Sequence, residues 1–383
     1  MSSSHQRIRL GMVGGGPGGF IGSIHRLAAR LDDHYELVAG ALSSDPQKAI
    51  ASGRELRLDE DRIYSDFSVM AERESLRPNG IEAVAIVTPN HLHFSAAKIF
   101  LSHGIHVICD KPMVTTLAEA NELASVVKES GRIFALTHNY SGYPLIHQAR
   151  DMIAQGTLGD IRLVHFEYLQ DWLTEPIEHA GHKQASWRTD PNRSGAGGAI
   201  SDIGTHAYQL LTFVTGLAPS MIAADLGTLV PGRVLDDNAN ILLRFENGAR
   251  GTILISQVAP GNENALSLRI YGSKGGLEWQ QENPNELWYA PLGKGKQLIT
   301  RAGPDTSESS KSFLRTPAGH PEGFIEAFAN IYGQVAAAIL SMRKSGAVPS
   351  SFAFPGVEDG IFGLTFIQAA IESSKHESRW TCL

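Results

Sequence analysis

The chain has 383 residues, 33 Lys and Arg against 40 Asp and Glu for a net charge of −7, and 42% apolar residues. That length exceeds one typical hydrophobic core and predicts two domains, and the ordinary apolar content excludes long disorder. No basic stripe suits nucleic acid or an anionic membrane, no apolar run approaches the roughly 20 residues of a membrane span, and Cys109 and Cys382 sit in no metal or redox spacing.

In chain order, the start MSSSHQRIRL carries no apolar region of a signal peptide, and a cytoplasmic protein is expected. IRLGMVGG (8–15) reads as a buried strand and IGSIHRLAARL (21–31) as a helix. YELVAGAL (35–42) and IEAVAIVTP (81–89) are further strands, the second leading into the helical HLHFSAAKIFLSHG. IHVICDKP (105–112), a helix over 116–131 and the strand RIFALTHN (132–139) continue the alternation. Short apolar strands separated by helices predict βαβ units and a parallel, doubly wound sheet, so residues 1–139 are expected to form an α/β Rossmann domain.

Beyond it, a helix over 143–156 precedes strands in succession at 161–169, 221–230, 238–245 and 249–258. Asn247-Gly248 joins the last two as a hairpin, and Ser273-Lys274 joins NALSLRIYG to GGLEWQ as another. A loop-rich stretch with a few weak strands (282–320) and two helices near 322–344 and 357–376 close the chain. Residues 140–383 are therefore expected to form an α+β domain around a large, mostly antiparallel open sheet.

The stretch MVGGGPGGFIGSIH (12–25) has the strand–turn–helix context that a dinucleotide-binding glycine loop requires. Gly14 makes the turn and Gly16 lets the backbone approach a pyrophosphate. The third glycine is Gly19 or Gly22, with Phe20 and Ile21 at the start of the helix whose N–H groups face the phosphates. The acid expected after the second strand, to bind the ribose hydroxyls, is replaced by Ser43, with Ser44 next and Asp45 two residues on. NAD and NADP both remain open on that pattern. Thr88, Pro89 and Asn90 end the third strand on the edge that would line the cofactor, and His93 comes within a turn of them.

HVICDKPM (106–113) runs an apolar strand into a charged pair and a proline. Pro112 cannot continue the strand, so Asp110 and Lys111 are held at the C-terminal sheet edge, where α/β proteins bind ligands. Lys111 there can hydrogen-bond a substrate hydroxyl or share its proton; its plainer role is a surface ion pair with Asp110. In GAGGAISDIGTHAYQLLTFVTG (195–216), Asp202 and His206 stand at i,i+4 on a predicted helix. A carboxylate so placed can orient an imidazole as a general base, and the same spacing suits a mere helix-surface pair. Trp187 and Arg188 offer an aromatic platform and a fork donor for a polyhydroxylated ligand, and Tyr140 is a further candidate substrate contact. THNYSGYP, KQASWRTDP, LDDNAN and SQVAPGNEN are polar enough to line a substrate pocket, without assigned roles.

With the glycine-rich turn, TPNHLH, CDKP and GGAISDIGTH in that order, the chain resembles the Gfo/Idh/MocA family of glucose–fructose oxidoreductase, inositol dehydrogenase and related sugar dehydrogenases. The likeness covers nearly the whole chain. It implies that Lys111 contacts substrate and nicotinamide, that His206 is the acid/base with Asp202 supporting it, and that the open sheet joins copies into dimers or tetramers. It further implies NAD(P)-dependent, metal-free oxidation or reduction of a secondary alcohol on a cyclic sugar, glycoside or inositol. Family glycosidases that oxidise, eliminate and reduce again with bound NAD form the alternative. A non-catalytic nucleotide sensor is a third, and it has no need of Lys111, Asp202 and His206.

Overall fold

The computed structural model describes residues 7–16, 19–347, 352 and 354–383; the first six residues, where a signal peptide was sought, and residues 17 and 18 of the glycine loop lie outside them. The chain divides into two compact units, Met1–His138 with Phe328–Ile361, and Asn139–Ala327 with Phe362–Leu383.

In the first unit the order is β1 (Ile8–Gly14), α1 (Phe20–Leu31), β2 (Tyr35–Ala41), α2 (Pro46–Glu55), α3 (Phe67–Leu76), β3 (Ala83–Val87), α4 (His93–Ser102), β4 (His106–Cys109), α5 (Leu117–Ser130) and β5 (Phe134–Leu136). The strands form one parallel sheet in the order β2-β1-β3-β4-β5. Strands β3, β4 and β5 are buried throughout, as a sheet covered on both faces requires. Local signals fix the helices: Thr116 and Glu119 close a reciprocal capping box at the start of α5, and Gly131, at φ 61°, ends it. The register sets Gly14 beside Val87, Ile86 beside Cys109, and Cys109 beside Leu136. Gly14, Thr88, Asp110 and Thr137 therefore gather on one C-terminal edge, around the point where strand order reverses between β1 and β3.

The second unit contains α6 (Pro144–Ala154), β6 (Ile161–Leu169), α7 (Lys183–Arg188), α8 (Pro191–Ser194), α9 (Thr205–Thr215), β7 (Met221–Gly227), β8 (Asn238–Arg244), β9 (Arg250–Ser256), β10 (Ala265–Gly272), β11 (Gly275–Gln280), β12 (Glu286–Pro291), β13 (Gln297–Thr300) and α10 (Glu308–Lys311). After them come α11 (Phe324–Ser345), α12 (Val357–Lys375) and β14 (Thr381–Cys382), the two helices each crossing a boundary between units. The sheet order is β13-β12-β11-β10-β6-β9-β8-β7-β14, antiparallel except for the parallel pair β6 and β9. Both expected hairpins form, the first turning at Gly248 with φ 86°.

Two features differ from the sequence reading. Residues 328–361 cluster with the Rossmann sheet and not with the second unit, to which a division at residue 139 assigns them. Tyr332 is one link: its ring meets His25 at 5.8 Å and Tyr35 at 5.4 Å, edge-on to both, and the Tyr35 hydroxyl donates to the Tyr332 carbonyl at 2.9 Å. Helix α11 is also long and apolar enough, by length and composition, to cross a membrane. Its Phe328, Tyr332, Val335 and Ile339 are buried, each worth roughly 1.5–3 kcal/mol of apolar transfer.

Candidate active site

The glycine loop is shaped by positions that a side chain would spoil. Gly14 and Gly15 have φ of 82° and 73°, open to glycine at little cost. A Cβ on Gly16 would fall 2.6 Å from the Leu42 carbonyl oxygen, and one on Gly22 would fall 2.4 Å from the Gly15 Cα. Gly22 is thus the glycine that lets α1 approach the loop closely, while Gly19 is only the residue before the helix. Phe20 is exposed and Ile21 half-buried where α1 begins. Thr88 Oγ1 is buried without a partner among the described residues, a polar atom that a bound nucleotide would satisfy. These residues fit a dinucleotide, whose phosphates the N–H groups at the start of α1 would hold. Gly22→Val forces about 1–3 kcal/mol of overpacking and should weaken NAD binding roughly tenfold or more, read by isothermal titration.

Ser43 is half-buried at the end of β2 and Ser44 is exposed. Asp45 caps α2, its Oδ1 accepting from Gln47 N at 2.9 Å and Lys48 N at 3.1 Å. Pro89 leads into the short turn Asn90–Leu92, and Asn90 is buried. His93 is fully buried, its Nδ1 2.8 Å from the Pro112 carbonyl and its Nε2 2.9 Å from the Thr88 carbonyl. The ring is packed between the ends of β3 and β4, where a neutral imidazole donates to one of the two carbonyls, and it presents no exposed surface for the cofactor contact expected of it. Burial pulls its pKa down, against the charge of Asp110 and the two carbonyls.

Asp110 precedes Lys111 at the end of β4. The carboxylate lies 3.6 Å from His25 Nε2 and accepts from Thr137 Oγ1 at 2.9 Å. Burial alone would raise its pKa, but the neighbouring His25 imidazole, then Lys111 and His93, hold it well below the usual carboxylate range. The other ring nitrogen of His25 meets the Tyr332 hydroxyl at 2.9 Å, so α1, α11 and the end of β4 share one buried cluster. Lys111 itself is half-buried ahead of a cis peptide to Pro112.

In the second unit, Asp202 does not sit on the regular helix that the i,i+4 spacing predicts. It lies in a widened π-turn, Ile200–Gly204, ahead of α9, with the Thr205 N–H reaching back to the Ile200 carbonyl; such turns recur at functional sites. Asp236 anchors the approach to this turn, its two carboxylate oxygens accepting from Gly198 N at 2.7 Å and Ile200 N at 2.8 Å. Burial pushes Asp236 up to about 6 despite those bonds. Asp202 Oδ2 accepts from Arg188 Nε at 3.2 Å and Gln257 Nε2 at 2.9 Å. Arg188, expected to grip a ligand, also donates to Gln184 Oε1 at 2.6 Å and stacks 4.2 Å from the Trp187 ring, which fixes it on the protein's own carboxylate. His206 is buried, with the Tyr140 ring edge-on at 4.8 Å. Tyr140, expected to touch substrate, is likewise buried with its hydroxyl engaged by Tyr168 and Asn264.

Sequence reasoning missed His25, Thr137, Gln257 and Asp236. The polar segments THNYSGYP, LDDNAN and SQVAPGNEN carry three of the four, Thr137, Asp236 and Gln257.

The chain is similar to known proteins along nearly its whole length. Residues 8–138 match a family model described as an oxidoreductase family with an NAD-binding Rossmann fold, and residues 146–278 match the GFO/IDH/MocA C-terminal domain. An oxidoreductase from Sinorhizobium meliloti shares 54% identity at a TM-score of 0.90, with 98% of this chain and 99% of that one covered. An inositol dehydrogenase homologue from Azotobacter vinelandii, solved with NAD+, gives 35% identity and a TM-score of 0.95 over 99% and 98% of the two chains; it is also solved with NADH and myo-inositol. Levoglucosan dehydrogenase of Pseudarthrobacter phenanthrenivorans is 29% identical over 310 residues, 74% of this chain and 76% of its own.

Proposed function

The chain belongs to the GFO/IDH/MocA family of NAD-dependent oxidoreductases, and from that premise we propose that it interconverts a secondary alcohol and a ketone on a cyclic sugar, glycoside or inositol. His206 takes the hydroxyl proton, Asp202 holds the imidazole in place, and Lys111 donates a hydrogen bond to the same oxygen. NAD, when bound, supplies the hydride acceptor. The observation that carries the reading is the buried His206, four residues beyond a carboxylate, Asp202, that Arg188 and Gln257 hold, in a chain that also has a dinucleotide loop. A secondary alcohol needs both: a base for one hydrogen and an acceptor for the other. The substrate class is supported by the relatives crystallised with myo-inositol or named for levoglucosan.

The test is a panel of inositols, aldoses, anhydro sugars and glycosides incubated with NAD, following reduced nicotinamide and product together. Equimolar NADH and ketone are expected. Release of a glycoside's leaving group without net NADH would replace this reading with the hydrolase, and cofactor binding without turnover on any polyol would replace it with a sensor.

A further inference from the structure

Around Asp202 and His206 runs a set of uncharged side chains whose hydrogen bonds have only one consistent direction. The indole Nε1–H of Trp172, which can only donate, reaches Gln170 Oε1 at 3.0 Å. That fixes the Gln170 amide, so its Nε2 donates to Asn264 Oδ1 at 2.8 Å. Asn264 is fixed in turn: its Nδ2 donates to the Tyr140 hydroxyl and to Gln281 Oε1, both at 3.1 Å, and Tyr168 donates to its Oδ1 at 2.7 Å. Both hydrogens and both lone-pair sites of the Asn264 amide are then used. Since Tyr168 spends its proton on Asn264, Tyr140 must be the donor in the bond between the two phenols. Asn264, Tyr140 and Tyr168 thus form a closed ring in which each donates to the next, an arrangement that strengthens its members. Burial raises the pKa of both phenols, which keeps their protons available to it.

The same set touches both members of the proposed acid/base pair. Gln257 Nε2 donates to Gln170 Oε1 at 3.3 Å and to Asp202 Oδ2 at 2.9 Å, so its direction is fixed by an acceptor-only carboxylate at one end. At the other end the rings of Tyr140 and Tyr168 stand 4.8 and 6.3 Å from the ring of His206. Amide orientations that would be ambiguous singly are settled jointly by Trp172 and Asp202.

We propose that Asn264, Gln170 and Trp172 are positioning residues for the reaction, forming a directional hydrogen-bond circuit that holds the Asp202 carboxylate and the His206 ring in their working orientation. The proposal rests on the functional reading above. It also leaves the Tyr140 hydroxyl without a proton to donate in the substrate contact expected of it, because its only proton is committed to Tyr168.

Asn264→Asp keeps the shape but sets a carboxylate oxygen against Tyr140 and Gln281 Oε1. The expected result is kcat lower by roughly 10–100-fold, with KM for NAD unchanged and a larger primary deuterium isotope effect on kcat. Should that variant fail to fold, Trp172→Phe removes the anchoring N–H while keeping the ring, with about a fivefold loss of kcat expected from one hydrogen bond. Wild-type kcat and isotope effect in a folded Asn264→Asp, or in Trp172→Phe, overturn the circuit. His206→Asn measured in parallel separates the two ideas: if it keeps full turnover the functional reading fails, whereas an inactive His206→Asn beside a fully active Asn264→Asp sinks the circuit alone.

Discussion

His206→Asn is expected to lower kcat by roughly 10²–10⁴-fold, the usual worth of a general base, while NAD binds with wild-type affinity. Asparagine can occupy the space beside Tyr140 but cannot accept and release a proton near neutral pH. The buried setting of His206 leaves no side chain in that turn to take over, since Asp202 is already committed to Arg188 and Gln257. Lys111→Met should produce a loss of similar order by removing the hydrogen bond to the reacting oxygen. The two losses should not add in the double variant, because groups that act on one proton transfer behave as a unit. Steady-state turnover beside calorimetric titration of NAD checks all three variants; undiminished turnover in either single variant refutes the assignment.

How far the sequence could be read depended on the range of the physics involved. The alternation of buried strands and helices is local, and it was legible, as were the Asn247-Gly248 and Ser273-Lys274 turns. Helices α2 and α3 were passed over although Asp45 and Asp66 mark their starts, because their apolar faces are short. The cluster of His25, Asp110, Thr137 and Tyr332 joins residues far apart in sequence, and no spacing announces such a meeting. The same holds for Gln257 on Asp202: its segment reads only as polar until β9 is paired beside β6.

Several candidate site residues take up a geometry that their sequence spacing does not show. An i,i+4 rule presumes an unbroken α-helix, and the π-turn at Ile200–Gly204 removes that premise. Arg188 and Tyr140 were expected to serve a ligand because exposed arginines and tyrosines often do. In the folded chain their polar atoms serve Asp202 and Asn264. His93 was assigned to the cofactor by proximity in sequence, and two backbone carbonyls claim it instead. In each case a tertiary partner had the stronger claim on the same functional group.

Acid should unfold this protein in a pH range set by histidines. Burial, then nearby cations, holds His106 down to about 4, with Arg132 and Arg343 contributing, and His138 to about 3, with Lys111 contributing. Burial and Arg150 likewise bring His147 down to about 3. The geometry agrees for His106, whose Nδ1 accepts the Ile133 N–H at 2.9 Å and so must be unprotonated. Each is neutral when folded and takes up a proton near pH 6.5 when unfolded. The unfolded chain therefore binds more protons below that point, so stability is full above pH 6.5 and declines as pH falls toward the folded values, by roughly 3–5 kcal/mol per histidine. Asp236, raised to about 6, works the other way and offsets part of one histidine. Asp110, with its depressed carboxyl, matters only below the ordinary carboxylate range. Unfolding free energies from urea titrations at a series of pH values should show the decline. His147→Leu, filling the space between Phe213 and Phe313, should cut its slope by about one proton, 1.36 kcal/mol per pH unit. A slope identical to the wild type would show that buried imidazoles do not set the acid limit.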